Sequence, residues 1–241
     1  FIKGGTHGSG CTYSAAVAAY LAQGFTLVDA ASQAKRFVEH AIGGSVPVGR
    51  GVPPVNQLSH IRRNAACYHV LQDMEMAVEM IKNCTSFSYL IPEVGCNIAM
   101  AIPQAGNVAD VAAVAGRIVK LKHKPAIVGC VEFGASSHVA RIVLATMQSD
   151  GGVRAAVNVR YSKKVLRIID EMDLSISSFD RAEEPAKTST MDWGVASCCR
   201  EGVPDAIFDR GAPGKEGLIR IFAENPVELV NIIAKTVSYT H

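Results

Sequence analysis

No Cys-x-x-Cys pair, no apolar run of membrane-spanning length and almost no excess charge of either sign: these absences bound the 241-residue sequence first. The seven cysteines stand singly or, at Cys198-Cys199, side by side, and their number is odd. Such usage excludes a disulfide framework and zinc-finger spacing, and it fits a reducing, cytoplasmic setting in which adjacent cysteines act as small apolar side chains. Lys and Arg total 24 against 22 Asp and Glu, for a formal charge of +2. A broad basic face for nucleic acid is thereby excluded, whereas a local cation cluster for phosphates is not. No membrane span and no signal peptide is expected. What remains is 49% hydrophobic and 19% charged, the composition of a chain that buries a sizeable core.

The chain reads in three parts. Residues 1–56 are a glycine-rich loop, Gly4 to Cys11, then an alanine-rich helix over 12–23 and a helix over 27–42 stopped by Gly43-Gly44. Residues 45–57, SVPVGRGVPPVNQ, read as a linker. A third helix over 58–83 shows one apolar face through Val70, Leu71, Met74, Ala77, Val78 and Ile81. From Ile91 onward, short β-branched runs alternate with helices. Strands are expected at 97–102, 117–121, 126–131, 155–160, 175–179, 206–209 and 218–222. Helices are expected at 137–148, 162–173, 190–200 and 226–236, the last opened by Asn225-Pro226. The expected fold is α/β, a mixed or largely parallel sheet flanked by helices, preceded by a short helical remnant. The domain boundary is placed between 56 and 57. Because the chain opens on Phe1 inside the glycine-rich loop, it reads as a fragment.

A glycine-rich loop running into a helix turns backbone N–H groups and the positive end of the helix dipole outward, which suits an anion. Gly8, Gly10 and Cys11 have that form, although a tight turn before a packed helix gives the same pattern. In the second part the polar residues gather at strand ends, where α/β folds place ligands. Asn97 opens the first strand and Asn158-Val159-Arg160 ends another. Ser136 and His138 stand between a strand and a helix, Asp180-Arg181 and Asp209-Arg210 each follow a strand, and Gly214-Lys215 lies in a glycine-rich loop. Each has a plainer reading: Ser136 or Ser137 as a helix cap, His138 as a surface residue, Asp180-Arg181 and Asp209-Arg210 as local ion pairs. Recurrence favours function. Arg160, Arg181 and Arg210 each sit just past a strand and Arg117 opens one, so a single anion pocket built by four guanidinium groups is expected. Metal-ligand spacing of the His/Cys type is absent, while Mg²⁺ held at phosphate oxygens by Asp180, Asp209 or Glu216 stays open.

Two resemblances follow. The string Gly-Thr-His-Gly-Ser-Gly-Cys-Thr-x-Ser-Ala-Ala (residues 5–16) with Pro54-Val55-Asn56 resembles the C-terminal motif of hydroxymethylpyrimidine phosphate kinases of the ribokinase superfamily. In that family the loop cradles the transferring phosphate and the position of Cys11 is the catalytic base. Only about residues 1–58 are covered, so no kinase turnover is expected from this chain. The stretches 94–103, 116–119, 132–141, 158–162, 178–181 and 209–211 resemble ThiN-type thiamin-phosphate synthases, which occur fused behind that kinase. Val131 departs from the family pattern, which has proline there. The resemblance implies joining of hydroxymethylpyrimidine diphosphate to hydroxyethylthiazole phosphate with release of pyrophosphate. It further implies Arg117 and His138 as catalytic residues. Arg117 is assigned to the leaving pyrophosphate and His138 to charge neutralisation or proton donation. Asn97, Ser136, Asn158, Arg160, Asp180, Arg181, Asp209, Arg210, Gly214 and Lys215 are the candidate substrate and phosphate ligands. Phosphorylated thiamin precursors are the expected partners, nucleic acid and membrane are not, and a homo-oligomer is compatible with the sequence. The rival reading is a thiamin-phosphate sensor of a transcriptional regulator, a class expected to lack the Arg and His that this chain keeps.

Overall fold

The computed structural model describes residues 6–183 and 190–238, so Gly4 and Gly5 of the first loop fall outside it. Contacts divide the chain into two compact units, residues 1–67 and 68–241. In the first unit α1 (Ser9–Ala22) and α2 (Leu27–Gly43) pack together. Gly8 stands at the N-cap of α1 with φ +90°, a conformation a side chain resists. Thr26 caps α2 by accepting the Asp29 N–H at 3.2 Å. The loop after α2 closes on the first one, where the His7 N–H donates to the Pro53 carbonyl and the Val55 N–H to the His7 carbonyl, forming the His7–Pro54 bridge. Gly10 and Cys11 occupy the first turn of α1, and Cys11 is exposed. Helix α3 (Ser59–Asn83) runs through the division, and its buried face, Val70, Met74, Ala77, Val78 and Ile81, belongs to the second unit.

The second unit is built on a seven-stranded mixed sheet. Its strands are β1 (Ile98–Ala101), β2 (Val111–Val114), β5 (Val131–Phe133), β6 (Ala155–Arg160), β7 (Ile176–Ser178), β8 (Ala206–Asp209) and β9 (Leu218–Ala223). Their order is β5-β2-β1-β6-β9-β8-β7. Of the two arrangements expected, mixed and largely parallel, the first is found: only β7 and β8 run parallel, and every other pair is antiparallel. The remaining strands, β3 (Ile118–Leu121) and β4 (Lys124–Ile127), form a separate hairpin. Helices α4 (Ser137–Met147), α5 (Lys163–Glu171), α6 (Thr190–Cys198) and α7 (Pro226–Ser238) complete the unit.

Both faces of the sheet are covered, and strand alternation assigns each residue to one of them. Ala99, Ala101, Val111, Ala113, Ala156, Ile207 and Phe222 share a core with Val139, Ala140, Ile142 and Val143 of α4 and Val195 of α6. Helix α7 packs on β1, β6 and β9 and buries Leu229, Val230, Ile233 and Val237. Strands buried on both faces read as unbroken apolar runs, so direction leaves no periodic trace in them.

Two local corrections follow. The strand expected at 126–131 is two strands, β4 and β5, because the chain turns between them. At Gly129 a Cβ would meet the Ala115 carbonyl oxygen at 2.6 Å, so the backbones pass closer than any side chain permits. Strand β2, Val-Ala-Ala-Val, is absent from the sequence-based expectation, because alanine carries little β signal. Val131, the departure from the family pattern, is the first residue of β5 at the sheet's edge. Among the described residues no helix is long and apolar enough to cross a membrane.

Candidate active site

The sheet face that carries α4 opens at one end into a cleft of about 460 Å³. Its wall is made by the segment before β1 (Val94 to Asn97), Arg117, the start of α4 (Ser136, His138, Val139), Asn158, Arg181 and the loop Gly214 to Glu216. The volume is that of an ordinary small-molecule site.

Asn97 and Asn158 form the floor and are engaged there. The Asn97 side-chain oxygen accepts from Ile98 and Val114 N–H groups at 2.9 and 3.1 Å, and its amide donates to the Val114 carbonyl at 2.9 Å. The Asn158 side-chain oxygen accepts the Asn97 N–H at 2.9 Å. Both therefore brace the strand ends that aim other groups into the cleft.

Arg117 is held in an unusual backbone. It follows Gly116 (φ +80°) and itself has φ +106°, a region that a residue with a Cβ adopts only at a cost in strain. Backbone hydrogen bonds of 2.8 Å in each direction between Cys96 and Ile118 lock the neighbouring residues, and the Arg117 guanidinium donates to the Val94 carbonyl. The opposing Gly95, at φ +84°, lets that side chain pass, since a Cβ there would meet Arg117 Cδ at 3.2 Å.

Ser136 occupies the N-cap position of α4 without making a side-chain cap hydrogen bond. The plainer reading of Ser136 as a side-chain cap is thus not found. Ser136 and His138 at the start of α4 line the cleft, and a helix start whose first N–H groups have no side-chain cap favours an anion. His138, in the first turn, has its proton affinity lowered from the ordinary value near 6.5. Desolvation is the first cause, followed by the charges of Arg220, Arg117, Arg181 and Arg141. The residue keeps part of its surface exposed, so its loss of hydration is partial and the four cations add to it. With the folded value below the unfolded one, the folded state loses stability as pH falls below about 6.5. An anion arriving beside His138 works in the opposite direction and favours its proton. Pyrophosphate affinity is accordingly expected to weaken as pH rises from about 6 to about 8. Calorimetric titration should show that dependence in the unaltered chain and its loss in His138→Gln.

Arg181 reaches the cleft fixed from behind. Its Nε and Nη2 donate to the two carboxylate oxygens of Asp209 at 2.6 and 3.1 Å. Asp209 is buried, also accepts the Gly211 N–H at 2.8 Å, and meets the guanidinium of Arg220 at 2.9 Å. The pairs expected from adjacency, Asp180-Arg181 and Asp209-Arg210, give way to this one across the sheet. Beyond Asp209 the chain makes a tight turn through Ala212, Pro213, Gly214 and Lys215. Proline at the second position and Gly214 at φ +73° in the third suit a type II turn. It presents Lys215 to the cleft. Glu216 Oε2 accepts the Glu93 N–H at 2.8 Å and ties this loop to the one before β1. Gly211 sits where a Cβ would meet the Lys215 carbonyl oxygen at 2.4 Å and has φ +82°. Gly211→Ala is therefore expected to spread the loop and weaken pyrophosphate binding about tenfold, measured by calorimetric titration.

The four arginines expected in one pocket part company. Arg117 and Arg181 share the cleft. Arg160 lines a second hollow of about 520 Å³ with Lys120 and Lys122, which adjoins the cleft at Gly95 and Glu216. Arg210 and Asp180 line a third of about 540 Å³ with Trp193, Phe208 and Arg200. Asp209 lies beneath the cleft rather than in its wall. Ser136, His138, Asn97, Asn158, Gly214 and Lys215 all reach the first cleft. Glu216 is the only carboxylate in that wall, and no group of three or more His, Cys, Asp or Glu gathers among the described residues. Arg220 is missing from the sequence-based candidates, although an arginine within Leu218-Ile219-Arg220-Ile221-Phe222 is a charge inside a buried strand and so carries a usable signal.

The pattern of the thiamine-phosphate synthase ThiN family matches residues 73–235, which contain every part of this cleft. The chain belongs to the ThiN family. The phosphomethylpyrimidine kinase pattern matches residues 1–56, so a kinase segment precedes the ThiN domain. The chain is 38% identical over 229 residues to the bifunctional thiamine biosynthesis protein ThiDN of Methanocaldococcus jannaschii, covering 93% of this chain and 52% of that protein. It thus spans about half the length of that relative. It is 36% identical over 172 residues to the thiamine-phosphate synthase ThiN of Methanothermobacter thermautotrophicus, covering 68% of this chain and 90% of that one. Among solved structures, the C-terminal domain of a phosphomethylpyrimidine kinase matches at TM-score 0.67 and 34% identity, over 70% of this chain and 99% of its own.

Proposed function

We infer that the ThiN domain of this chain joins hydroxymethylpyrimidine diphosphate to hydroxyethylthiazole phosphate and releases pyrophosphate. The observation that carries the reading is the meeting of Arg117, His138, Arg181 and Lys215 with the uncapped start of α4 in one cleft of a ThiN domain. In the reaction the bond from the pyrimidine methylene carbon to the diphosphate oxygen breaks, and its electron pair leaves with pyrophosphate. The thiazole nitrogen lone pair then closes the new carbon–nitrogen bond. Negative charge grows on the leaving group, so fixed donors aimed at it lower the barrier most. Arg117, strained into place, and Arg181, clamped by Asp209, are such donors. His138 supplies a further hydrogen bond or proton to the same oxygens. A Mg²⁺ accompanying the diphosphate would find one carboxylate in the wall, Glu216, and would add charge neutralisation.

The monophosphate of the thiazole substrate is assigned to the adjoining hollow of Lys120, Lys122 and Arg160, because the first cleft concentrates the donors that a diphosphate requires. Arg160→Ala is then expected to raise the KM for the thiazole phosphate about tenfold and to leave the KM for the pyrimidine diphosphate unchanged. Steady-state kinetics with each substrate varied in turn would decide this, and equal effects on both would refute the assignment. The reaction itself is tested by mixing both precursors with the chain and following thiamin phosphate and pyrophosphate. Tight binding of thiamin phosphate without turnover would sink the synthase reading in favour of a sensor.

A further inference from the structure

We propose that Arg220 is a positioning residue for this site: its buried guanidinium shares Asp209 with Arg181 and sets the charge field behind His138. Arg220 lies in the middle of β9, paired across the sheet with Asn158 of β6 and Ile207 of β8. Its side chain falls on the same face as Leu218, which lines the cleft, and Phe222, which belongs to the core under α4. It is 0% exposed. Its contact with Asp209, 2.9 Å from Nη2 to Oδ2, is an ion pair without hydrogen-bond alignment, and its guanidinium carbon stands 5.3 Å from the Phe179 ring centre. Nε, Nη1 and Nη2 find no hydrogen-bond partner among the described residues. A well-packed apolar residue would fill this place at less cost, so a role in stability alone does not account for the arginine.

Two consequences of its position do account for it. Asp209 carries one negative charge between two guanidinium groups, so Arg220 and Arg181 hold it from two sides and its orientation fixes that of Arg181. Arg220 is also the foremost of the charges that disfavour protonation of His138. The other groups in that field are Arg117 beside β3, Arg181 after β7 and Arg141 on α4 itself. Lys215 and Glu216 line the same cleft, and Asp209 on β8 partly offsets the cations. Arg220 thereby disfavours the His138 proton in the empty cleft, and an anion bound there offsets that field. This inference builds on the synthase reading for its rate effect but not for its electrostatic core.

The test follows the His138 ring nitrogens by NMR across pH in the full chain, in Arg220→Met and in Arg220→Lys, with thermal melts to verify folding. The titration midpoint is expected to rise toward the ordinary histidine range in Arg220→Met and to stay low in Arg220→Lys. Turnover at neutral pH is expected to fall about tenfold in the first and to recover in part in the second. An unmoved midpoint in folded Arg220→Met overturns the proposal. Should that variant not fold, the unaltered chain decides: the Arg220 Nε–H resonance must shift with the His138 midpoint, and a resonance indifferent to it overturns the proposal equally. Both titrations read out whether or not the chain makes thiamin phosphate, so failure of the synthase reading leaves them intact.

Discussion

Arg117→Ala is expected to lower the rate of thiamin phosphate formation about 10²–10³-fold while the domain melts within a few degrees of the parent. The guanidinium is exposed to the cleft and makes its hydrogen bond to the Val94 carbonyl, so the core loses nothing when it is removed. The backbone loses nothing either, since alanine tolerates φ +106° no worse than arginine does. That separation of rate from stability is the signature of a residue held in strain for chemistry. Lysine does not substitute well, because a point charge cannot keep the contact to Val94 and also offer a fork to the diphosphate. His138→Ala is expected to act in the same direction, by about 10²-fold, with the effect larger at low pH where the proton is available. Rates within about threefold of the parent in both variants would remove these residues from the mechanism.

Asp209→Asn is expected to act through stability first. The carboxylate is 0% exposed and meets two guanidinium groups and one backbone N–H. Removing its charge strands the Arg220 guanidinium in the core, with Arg181 losing its bidentate partner. Breaking a buried pair from one side costs about 3–5 kcal/mol. For a domain of this size that corresponds to a fall in the melting midpoint on the order of 10 °C. Calorimetry of the chain measures it directly, and a fall under about 2 °C would show that water or rearrangement already screens the pair. The double variant Asp209→Asn with Arg220→Met should recover part of the loss, because no uncompensated charge then remains at that point. Activity is not expected to return with it, since Arg181 still lacks its clamp.

Much of this architecture is legible in the residues themselves. Strands β6 and β8 and helices α2, α4 and α7 fall within a few residues of where apolar period and capping place them. Arg117, Ser136, His138, Asn97, Asn158, Arg181 and Lys215 stand out at strand and helix ends and do share one cleft. The departures are of one kind. Arg160 and Arg210 also stand at strand ends, yet they open to neighbouring hollows, because strand order rather than strand identity decides which ends meet. Adjacency pairs Asp209 with Arg210, whereas its partners come from the end of β7 and the middle of β9.

Local chemistry therefore belongs to the sequence. It places the elements, the glycine turns and the strand and helix ends that carry Arg117 and His138, because caps, turns and apolar periods act over a few residues. Strand direction, the unexpected β2, the division of the arginines among three hollows and the buried Asp209–Arg220 contact come only with the tertiary structure. Each of these depends on backbone hydrogen bonds and charges meeting across long stretches of chain. Strands buried on both faces carry no period that announces their neighbours.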